Sequence, residues 1–188
     1  MHYHTKSKEP HLWVFGYGSL IWNPGFGYEK SHKAYAQGFA RRMYQGNTYH
    51  RGDLSLPGRV ATLIEHPTSS TNGIVFRVSG ANSIMKALDN GYEFIWVTVQ
   101  AVLDNGSVAK VRALTCIATE RNEFYLGPDP VEKMAEEICI AKGCAGPNVD
   151  YVLKLAEYVR TLFPKDEDDH LFQLEVHIRS IQTLMLSR

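Results

Sequence analysis

The sequence is poor in cysteine and lacks any segment suited to a membrane. Its three cysteines, Cys116, Cys139 and Cys144, include no Cys-x-x-Cys pair and have no partners at zinc-ligand spacing. So few thiols, in odd number, exclude a disulfide framework and are typical of a reducing compartment. No apolar run approaches the roughly 20 residues of a membrane span, and residues 1–10 contain no hydrophobic signal region. The sequence therefore predicts a cytoplasmic protein that does not enter the membrane.

The chain also lacks an excess of charge of either sign. Lysine and arginine total 20, aspartate and glutamate total 20, and the formal net charge at pH 7 is zero. Nucleic acids and anionic membranes attract proteins with a basic surplus, so the composition argues against both partners. With 188 residues and 44% hydrophobic content, the chain can bury one sizeable core. We therefore expect a disordered lead-in over residues 1–11 and a single domain over residues 12–188.

A glycine-rich turn after a buried strand is the first feature that suggests chemistry. Residues 12–15 are apolar and favour extended structure, and Gly16-Tyr17-Gly18-Ser19 follows. The two glycines allow a sharp turn and let a ligand approach the main chain, so that N–H groups can converge on a carboxylate or a developing oxyanion. No nucleotide-binding glycine motif is present, which favours a small carboxylate as the ligand. An ordinary strand followed by a tight turn is the structural alternative.

Short strands are predicted through the first 118 residues. We expect them at residues 34–39, 60–64, 73–78, 94–103 and 108–118. Gly38 interrupts the first of these, and the Asp-Asn-Gly turn at residues 104–106 joins the last two as a hairpin. Residues 66–72 are rich in Ser and Thr and are predicted as a loop, whereas residues 82–88 have helical character that the turn at residues 89–91 ends.

The last third carries three apolar stripes at helical spacing. They begin at Val131, Val152 and Leu171, and the third follows an acidic connector in which Asp168 or Asp169 can cap the helix. Three amphipathic helices need a surface on which to pack. The predicted fold class is therefore α+β, a small, partly closed mixed β-barrel with flanking C-terminal helices.

A polar segment follows the second predicted strand and contains Arg41, Arg42, His50 and Arg51. Arginine side chains bind carboxylates through paired hydrogen bonds, so this segment suggests anion recognition close to the glycine-rich turn. A surface hairpin with solvated charges is the alternative.

Several blocks of sequence together resemble a known family. They lie at residues 14–22, 38–42, 44–48, 50–52, 57–60, 62–63, 125–128, 146–148, 151–155 and 169–172. In order, spacing and identity they are similar to the ChaC family of glutathione-specific γ-glutamylcyclotransferases. The resemblance covers nearly the whole chain after residue 11.

The resemblance implies a γ-glutamylcyclotransferase-like fold and an enzyme of glutathione catabolism. Such a lyase converts reduced glutathione to 5-oxoproline and cysteinylglycine in the cytoplasm, without a metal or an organic cofactor. The implied partner is the small-molecule substrate, and we expect a monomer or a weak homodimer. The substrate's own α-amino group attacks its γ-amide carbon, so the enzyme must fold the substrate into the attacking conformer. One carboxylate can then act first as base and afterwards as acid.

The resemblance also assigns substrate-binding residues. In the family the first strand and its turn hold the γ-glutamyl group, which here corresponds to Val14, Phe15, Gly16, Tyr17, Gly18, Ser19 and Leu20. Arg41, Arg42, His50 and Arg51 are expected on the Cys-Gly side of the substrate. Tyr125 is expected near the pocket as a hydroxyl donor, or alternatively as an aromatic plug in the core.

The catalytic carboxylate is the point at which this sequence departs from the family. The family uses a glutamate, usually preceded by arginine, a few residues before a tyrosine that opens a strand, but residues 84–97 contain no Arg-Glu pair. If Tyr92 matches that tyrosine, Asp89 is the nearest acidic residue on the expected side. If Asp89 matches an upstream aspartate of the family instead, the glutamate is deleted. Glu93 is the second candidate, although successive strand residues face opposite sides.

Three functions follow from this departure. The first is an active glutathione-specific cyclotransferase that uses Asp89 or Glu93. The second is a protein that binds glutathione or γ-glutamyl groups without turnover, because it lacks a competent catalytic glutamate. The third is an enzyme that acts on other γ-glutamyl amines or peptides.

Overall fold

The fold is known from a computed structural model that describes residues 11–79 and 92–187. The lead-in expected over residues 1–11 falls almost wholly outside the described residues. The helix expected at residues 82–88 and the turn at residues 89–91, with Asp89, lie outside them as well.

Five strands form a closed β-barrel at the centre of the described residues. They are β1 (His11–Gly16), β2 (Lys30–Asn47), β3 (Gly58–Ser79), β4 (Glu93–Val102) and β5 (Val108–Ile117). The strand order is β1-β3-β2-β4-β5, with β5 returning to β1. All neighbours pair antiparallel except β1 and β5, which pair in parallel through Val14 and Leu114. The mixed barrel predicted from the sequence is confirmed, as is the hairpin between β4 and β5.

The loop predicted at residues 66–72 is wrong, because these residues continue β3. Gln37 pairs with Ser70 and Phe39 pairs with Glu65, so the ladder with β2 resumes on both sides of a bulge. Gly38 lies opposite the bulge with a φ of 85°, a conformation that glycine adopts without strain. The Ser/Thr composition suggested a loop, but these residues belong to a continuous strand that is largely exposed up to residue 70 and buried at Thr71.

A second bulge lies in the same pair of strands and places Met43 and Tyr44 opposite Ala61. The Met43 N–H donates to Nε2 of His170 at 3.0 Å, and its carbonyl accepts from Nη1 of Arg59 at 3.2 Å. Bulges disrupt the strand ladder locally and often lie beside active sites. Here side chains bind the main-chain groups of Met43, whereas the Tyr44 carbonyl accepts from the N–H groups of Leu126 and Gly127.

Three α-helices among the described residues follow the barrel. They are α1 (Val131–Ile140), α2 (Asn148–Leu162) and α3 (Asp169–Leu186), and the short strands β6 (Lys142–Gly143) and β7 (Gly146–Pro147) precede α2. The three apolar stripes are confirmed, since residues such as Ile138, Leu155 and Leu171 are fully buried in the main core. Burying side chains of this size contributes roughly 1.5–3 kcal/mol each. Asp168 caps α3 by accepting from the Leu171 N–H at 3.1 Å.

Arg59 fastens α1 to the barrel through a buried ionic cluster. Its side chain is 2% exposed and donates to Glu137 at 2.6 Å, to Asp129 at 3.1 Å and to the Gly127 carbonyl at 2.9 Å. Together with the Met43 carbonyl, these acceptors occupy the guanidinium donors with groups of the protein itself. We call Arg59, Asp129 and Glu137 the Arg59 network.

No helix in the described part of the chain is long and apolar enough to cross a membrane.

Candidate active site

A cleft of about 530 Å³ opens where β1 ends. Its volume lies in the usual range for small-molecule sites. The described lining residues are Phe15, Gly16, Tyr17, Gly18, Ser19, Leu20, Trp22, Asn23, Pro24, Gly25, Asn47, His50, Arg51, Val60, Ala61, Tyr92, Cys116, Ala145 and Tyr151. The wall is therefore built from the glycine-rich turn, the loop after β2, the bulge and the start of α2.

The glycine-rich turn lines this cleft with residues that carry main-chain N–H donors. After β1 the chain enters a 3-10 turn, Ser19–Ile21, in which the Ile21 N–H donates to the Gly18 carbonyl at 3.0 Å. The N–H groups of Ser19 and Leu20 precede that first bond, and no side chain caps the turn. Two adjacent N–H groups are thus available to an anionic ligand.

Both glycines of the turn are closely packed. A Cβ on Gly16 would lie 2.5 Å from the Leu20 Cβ, which is too close for any side chain. A Cβ on Gly18 would lie 3.0 Å from the Tyr151 hydroxyl. The turn therefore packs directly against the start of α2, and larger residues would displace the tyrosine.

Three tyrosines, Tyr17, Tyr92 and Tyr151, form a cluster in the cleft that we call the tyrosine cluster. Tyr17 donates its hydroxyl proton to the Cys116 carbonyl at 2.5 Å, and Tyr92 donates to the Ala61 carbonyl at 3.2 Å. Tyr151 has the opposite role, because its oxygen accepts from the Ala61 N–H at 3.1 Å. Each hydroxyl is therefore held by a main-chain group, and the Thr62 side chain is a further hydrogen-bond partner of Tyr17.

Burial keeps the tyrosine cluster protonated. It raises the pKa of Tyr17 and that of Tyr92 well above the ordinary value, and it raises the pKa of Tyr151 to about 12. Burial also raises the pKa of the Cys116 thiol to about 12. Because the thiolate is the nucleophilic form of cysteine, Cys116 is not suited to covalent catalysis near neutral pH.

Arg51 supplies a cationic edge of the cleft, with His50 beside it. The Arg51 guanidinium donates to the Pro147 carbonyl at 3.1 Å and lies 6.0 Å from the centre of the Tyr151 ring. The side-chain oxygen of Asn47 accepts from the Arg51 N–H at 2.8 Å, and the His50 carbonyl accepts from the Ala145 N–H at 2.9 Å. The loop after β2 is thereby fixed against β7.

The structure brings most of the predicted binding residues to the cleft. Phe15, Gly16, Tyr17, Gly18, Ser19, Leu20, His50 and Arg51 line it. Val14 does not, since it is 1% exposed and packs in a separate cluster with Phe76 and Val78. Tyr125 is also outside the lining and pairs with Gln45 across an isolated bridge.

Arg41 and Arg42 do not line the cleft either. Arg41 is 1% exposed, lies 3.2 Å from the Asp168 carboxylate and donates to the Asn72 carbonyl at 2.6 Å. Arg42 donates to the Arg41 carbonyl at 2.7 Å. The structure thus gives Arg41 a role in attaching the start of α3 to the barrel, in place of the predicted contact with substrate.

The two predicted catalytic carboxylates have different outcomes. Glu93 is exposed outside the cleft and accepts from the Thr119 hydroxyl at 3.0 Å. Its neighbour Tyr92 lines the cleft, as expected for alternate sides of a strand. Asp89 lies outside the described residues, and no lining residue that the structure describes is a carboxylate.

Sequence reasoning gave no role in the site to Tyr92, Tyr151 or Cys116. Tyr92 served only to align the chain with the family, and Tyr151 only as part of a similar block. Tyr92 directly precedes β4, and Tyr151 lies on the first turn of α2. These positions were the signal that the sequence offered. Their partners are main-chain groups of distant residues, which no side-chain pattern records.

Comparison with known proteins identifies relatives along nearly the whole chain. A family model described as ChaC-like protein matches residues 12–181. Glutathione-specific γ-glutamylcyclotransferase 1 of Danio rerio is 38% identical over 185 residues, covering 94% of this chain and 93% of its own. The glutathione-specific γ-glutamylcyclotransferase of Schizosaccharomyces pombe is 32% identical, covering 93% of this chain and 96% of its own.

A solved structure shows the same fold. The crystal structure of the γ-glutamyl cyclotransferase specific to glutathione from yeast superposes with a TM-score of 0.81 at 26% identity. The match covers 92% of this chain and 99% of the yeast chain. The barrel and its C-terminal helices are therefore shared along nearly their full length.

Proposed function

The chain belongs to the ChaC-like protein family, and on this premise we propose that it is a glutathione-specific γ-glutamylcyclotransferase. The reaction yields 5-oxoproline and cysteinylglycine. The observation that carries the proposal is the uncapped turn at Ser19 and Leu20, which opens into a cleft of a size suited to a tripeptide. Relatives that bear this activity in their names cover more than nine-tenths of the chain.

The turn is suited to bind the α-carboxylate of the γ-glutamyl group. The N–H groups of Ser19 and Leu20 can both donate to one carboxylate, and charge-assisted bonds of this kind are stronger than neutral ones. From there the substrate extends toward His50 and Arg51, and the positive charge of Arg51 suits the carboxylate of the terminal glycine. The glycines at positions 16 and 18 support this role because they let the turn pack tightly without side chains.

The reaction requires one bond to form and one to break. The α-amino nitrogen attacks the γ-carbonyl carbon and closes a five-membered lactam, while the amide bond to cysteine breaks. The attacking nitrogen loses a proton, and the nitrogen of the departing cysteinylglycine gains one. No covalent bond to the enzyme is formed, so the cleft serves mainly to hold the attacking conformer.

We assign the proton transfer to Asp89. A single carboxylate can accept the proton from the amine and return it to the leaving nitrogen. Glu93 is less suited, because it lies on the opposite side of the chain from Tyr92 and is hydrogen-bonded to Thr119. We further expect the protein to act in the cytoplasm as a monomer or a weak homodimer.

Product analysis of paired variants tests this function. The wild-type protein is incubated with glutathione, and 5-oxoproline and cysteinylglycine are measured beside Asp89→Asn and Glu93→Gln. We expect equal amounts of both products from the wild type, a loss of at least 100-fold for Asp89→Asn, and little change for Glu93→Gln. Glutathione that raises the melting temperature yet stays intact would contradict the proposal, since it would indicate binding without turnover.

A second substrate tests the specificity. The rate with γ-glutamyl-alanine, which lacks the Cys-Gly portion, is compared with the rate with glutathione. We expect glutathione to be strongly preferred, and Arg51→Leu to reduce that preference by raising KM for glutathione. Equal rates for both substrates would point to a broader γ-glutamyl amine activity.

A further inference from the structure

Ala61 holds two hydroxyls of the tyrosine cluster side by side. In a strand, the N–H and the carbonyl of one residue face the same edge, because an opposing residue exchanges both bonds with it. At Ala61 the Tyr92 hydroxyl takes the place of the missing donor and the Tyr151 hydroxyl takes that of the missing acceptor. The two tyrosines thus stand in for a strand partner on the edge of β3 where Asn148 does the same for Arg59.

This arrangement fixes what each hydroxyl can offer a ligand. A main-chain carbonyl only accepts and an N–H only donates. Tyr92 therefore donates its proton to the Ala61 carbonyl and presents only lone pairs to the cleft. The same holds for Tyr17, because it donates its proton to the Cys116 carbonyl. Tyr151 has accepted the Ala61 N–H and keeps its proton for the cleft. The cleft contains two acceptor hydroxyls beside one donor.

The reacting groups of a γ-glutamyl amide have the complementary pattern. Its α-amino group donates hydrogen bonds, and its γ-carbonyl oxygen accepts them. For ring closure the amine must lie about 3–3.5 Å from the carbonyl carbon, so a donor and an acceptor of the substrate must sit side by side. An acceptor hydroxyl next to a donor hydroxyl matches that requirement.

Given the proposed substrate, we propose that Tyr17 and Tyr92 bind the α-amino group and that Tyr151 donates its hydroxyl proton to the γ-carbonyl oxygen. As the amine attacks, charge develops on that oxygen, and the Tyr151 hydroxyl stabilises it. The acceptor hydroxyls orient the amine without taking its proton, because a neutral phenol is a very weak base. The proton still goes to a carboxylate, as proposed above.

Burial supports a fixed polarity across the working pH range. It holds the pKa of all three tyrosines above 10, so each hydroxyl keeps its proton near neutral pH. The donor and acceptor roles therefore do not change with pH in the range where the substrate is stable.

A comparison of two ligands on tyrosine-to-phenylalanine variants tests the amine site. Dissociation constants are measured by calorimetry, in the Asp89→Asn background that does not consume glutathione, for glutathione and for its glutaryl analogue, which lacks the α-amino group and cannot cyclise. Tyr92→Phe should weaken glutathione about tenfold or more, as expected for a lost bond to a charged donor, and leave the analogue within about twofold. If Tyr92→Phe does not fold, Tyr17→Phe carries the same comparison. Equal weakening of both ligands would overturn the assignment.

The Tyr151 role has a kinetic signature. Loss of one donor to a developing oxyanion typically lowers kcat by about 100-fold or more, so Tyr151→Phe should lower kcat far more than it weakens glutathione binding. An unchanged kcat with weaker binding would contradict this half of the proposal. Tyr35→Phe, at a half-buried tyrosine of β2 outside the cleft lining, is the matched control and should change neither quantity.

The design separates this inference from the proposed function. Calorimetric binding needs no turnover. If the wild-type protein releases no 5-oxoproline yet Tyr92→Phe still discriminates between the two ligands, the proposed function fails and the amine site stands. If product forms normally but Tyr92→Phe weakens both ligands equally, the function stands and the amine site fails.

Discussion

The two sides of one β-bulge satisfy their main-chain groups in different ways. On the β2 side, Met43 is held by the Arg59 guanidinium and the His170 ring, both outside the cleft lining. On the β3 side, Ala61 is held by the hydroxyls of Tyr92 and Tyr151, which line the cleft. Arg59 directs its donors at the chain itself, whereas each tyrosine keeps one function for a ligand. The buried charge of Arg59 therefore stabilises the fold, whereas the buried neutral hydroxyls of Tyr92 and Tyr151 belong to the candidate site.

The largest expected effect is a loss of stability when Arg59, which holds the β2 side of the bulge, is replaced. Arg59→Leu leaves Glu137 and Asp129 with only the exposed Lys133 as a shared cation, and it removes the Arg59 donor from two main-chain carbonyls. Removing one member of a buried ionic cluster costs roughly 3–5 kcal/mol, and the free energy of unfolding in urea measures this loss. Arg112→Leu, at an exposed arginine over the Trp96 ring, is the control and should cost under about 1 kcal/mol. A stable Arg59→Leu protein that failed to bind glutathione would reverse the comparison.

An intermediate effect concerns pH and His170. Burial, with Arg42 and Arg59 nearby, lowers the pKa of His170 to about 3, against 6.5 for the exposed side chain. The unfolded chain therefore binds more protons between these values, so stability is full above pH 6.5 and falls as the pH drops toward 3. We expect a loss of about 2 kcal/mol between pH 7 and pH 5, measured as the change in unfolding free energy.

The control for this pH dependence is His170→Gln over the same range. Asp168 acts in the opposite direction, because burial raises the pKa of its carboxyl, and it is present in both proteins. The variant should lose the part of the slope that comes from His170. An unchanged slope would show that other groups produce the pH dependence.

The smallest expected effect on stability concerns Tyr151, which lines the cleft. Tyr151→Phe removes the acceptor of the Ala61 N–H, and leaving one buried neutral donor unpaired costs about 1–3 kcal/mol. We therefore expect a small loss in unfolding free energy beside the large loss of kcat described above. A loss as great as that of Arg59→Leu would mean that the tyrosine cluster is itself chiefly architectural.

The sequence predicted those elements whose signals are local. The strand into the turn at Gly16, the hairpin at residues 104–106 and the three helical stripes are periodic patterns, and Asp168 at the start of α3 is an ordinary cap. The continuous β3 was missed, because its Ser/Thr-rich segment is set by pairing with β2 and not by its own composition.

The candidate site divides along the same line. The residues of the turn, with His50 and Arg51, were predicted from resemblance and line the cleft. Arg41 was placed with them, since a sequence cannot show that its guanidinium is buried against Asp168. The roles of Tyr92 and Tyr151 depend on the Ala61 main chain, and such partners emerge only when the barrel and α2 come together.

The contact at Ala61 also affects how mutational scans of this protein would read. The atoms that orient the two hydroxyls belong to the peptide backbone, so exchanging the residue 61 side chain for another small one leaves both hydrogen bonds in place. Because Ala61 is buried in the core, a scan would report only a limit on side-chain size at position 61, and among the small or rigid replacements proline, which has no N–H, would expose the role of the main chain. The orientation of these two hydroxyls thus depends on the path of the main chain at residue 61 and not on the side chain there.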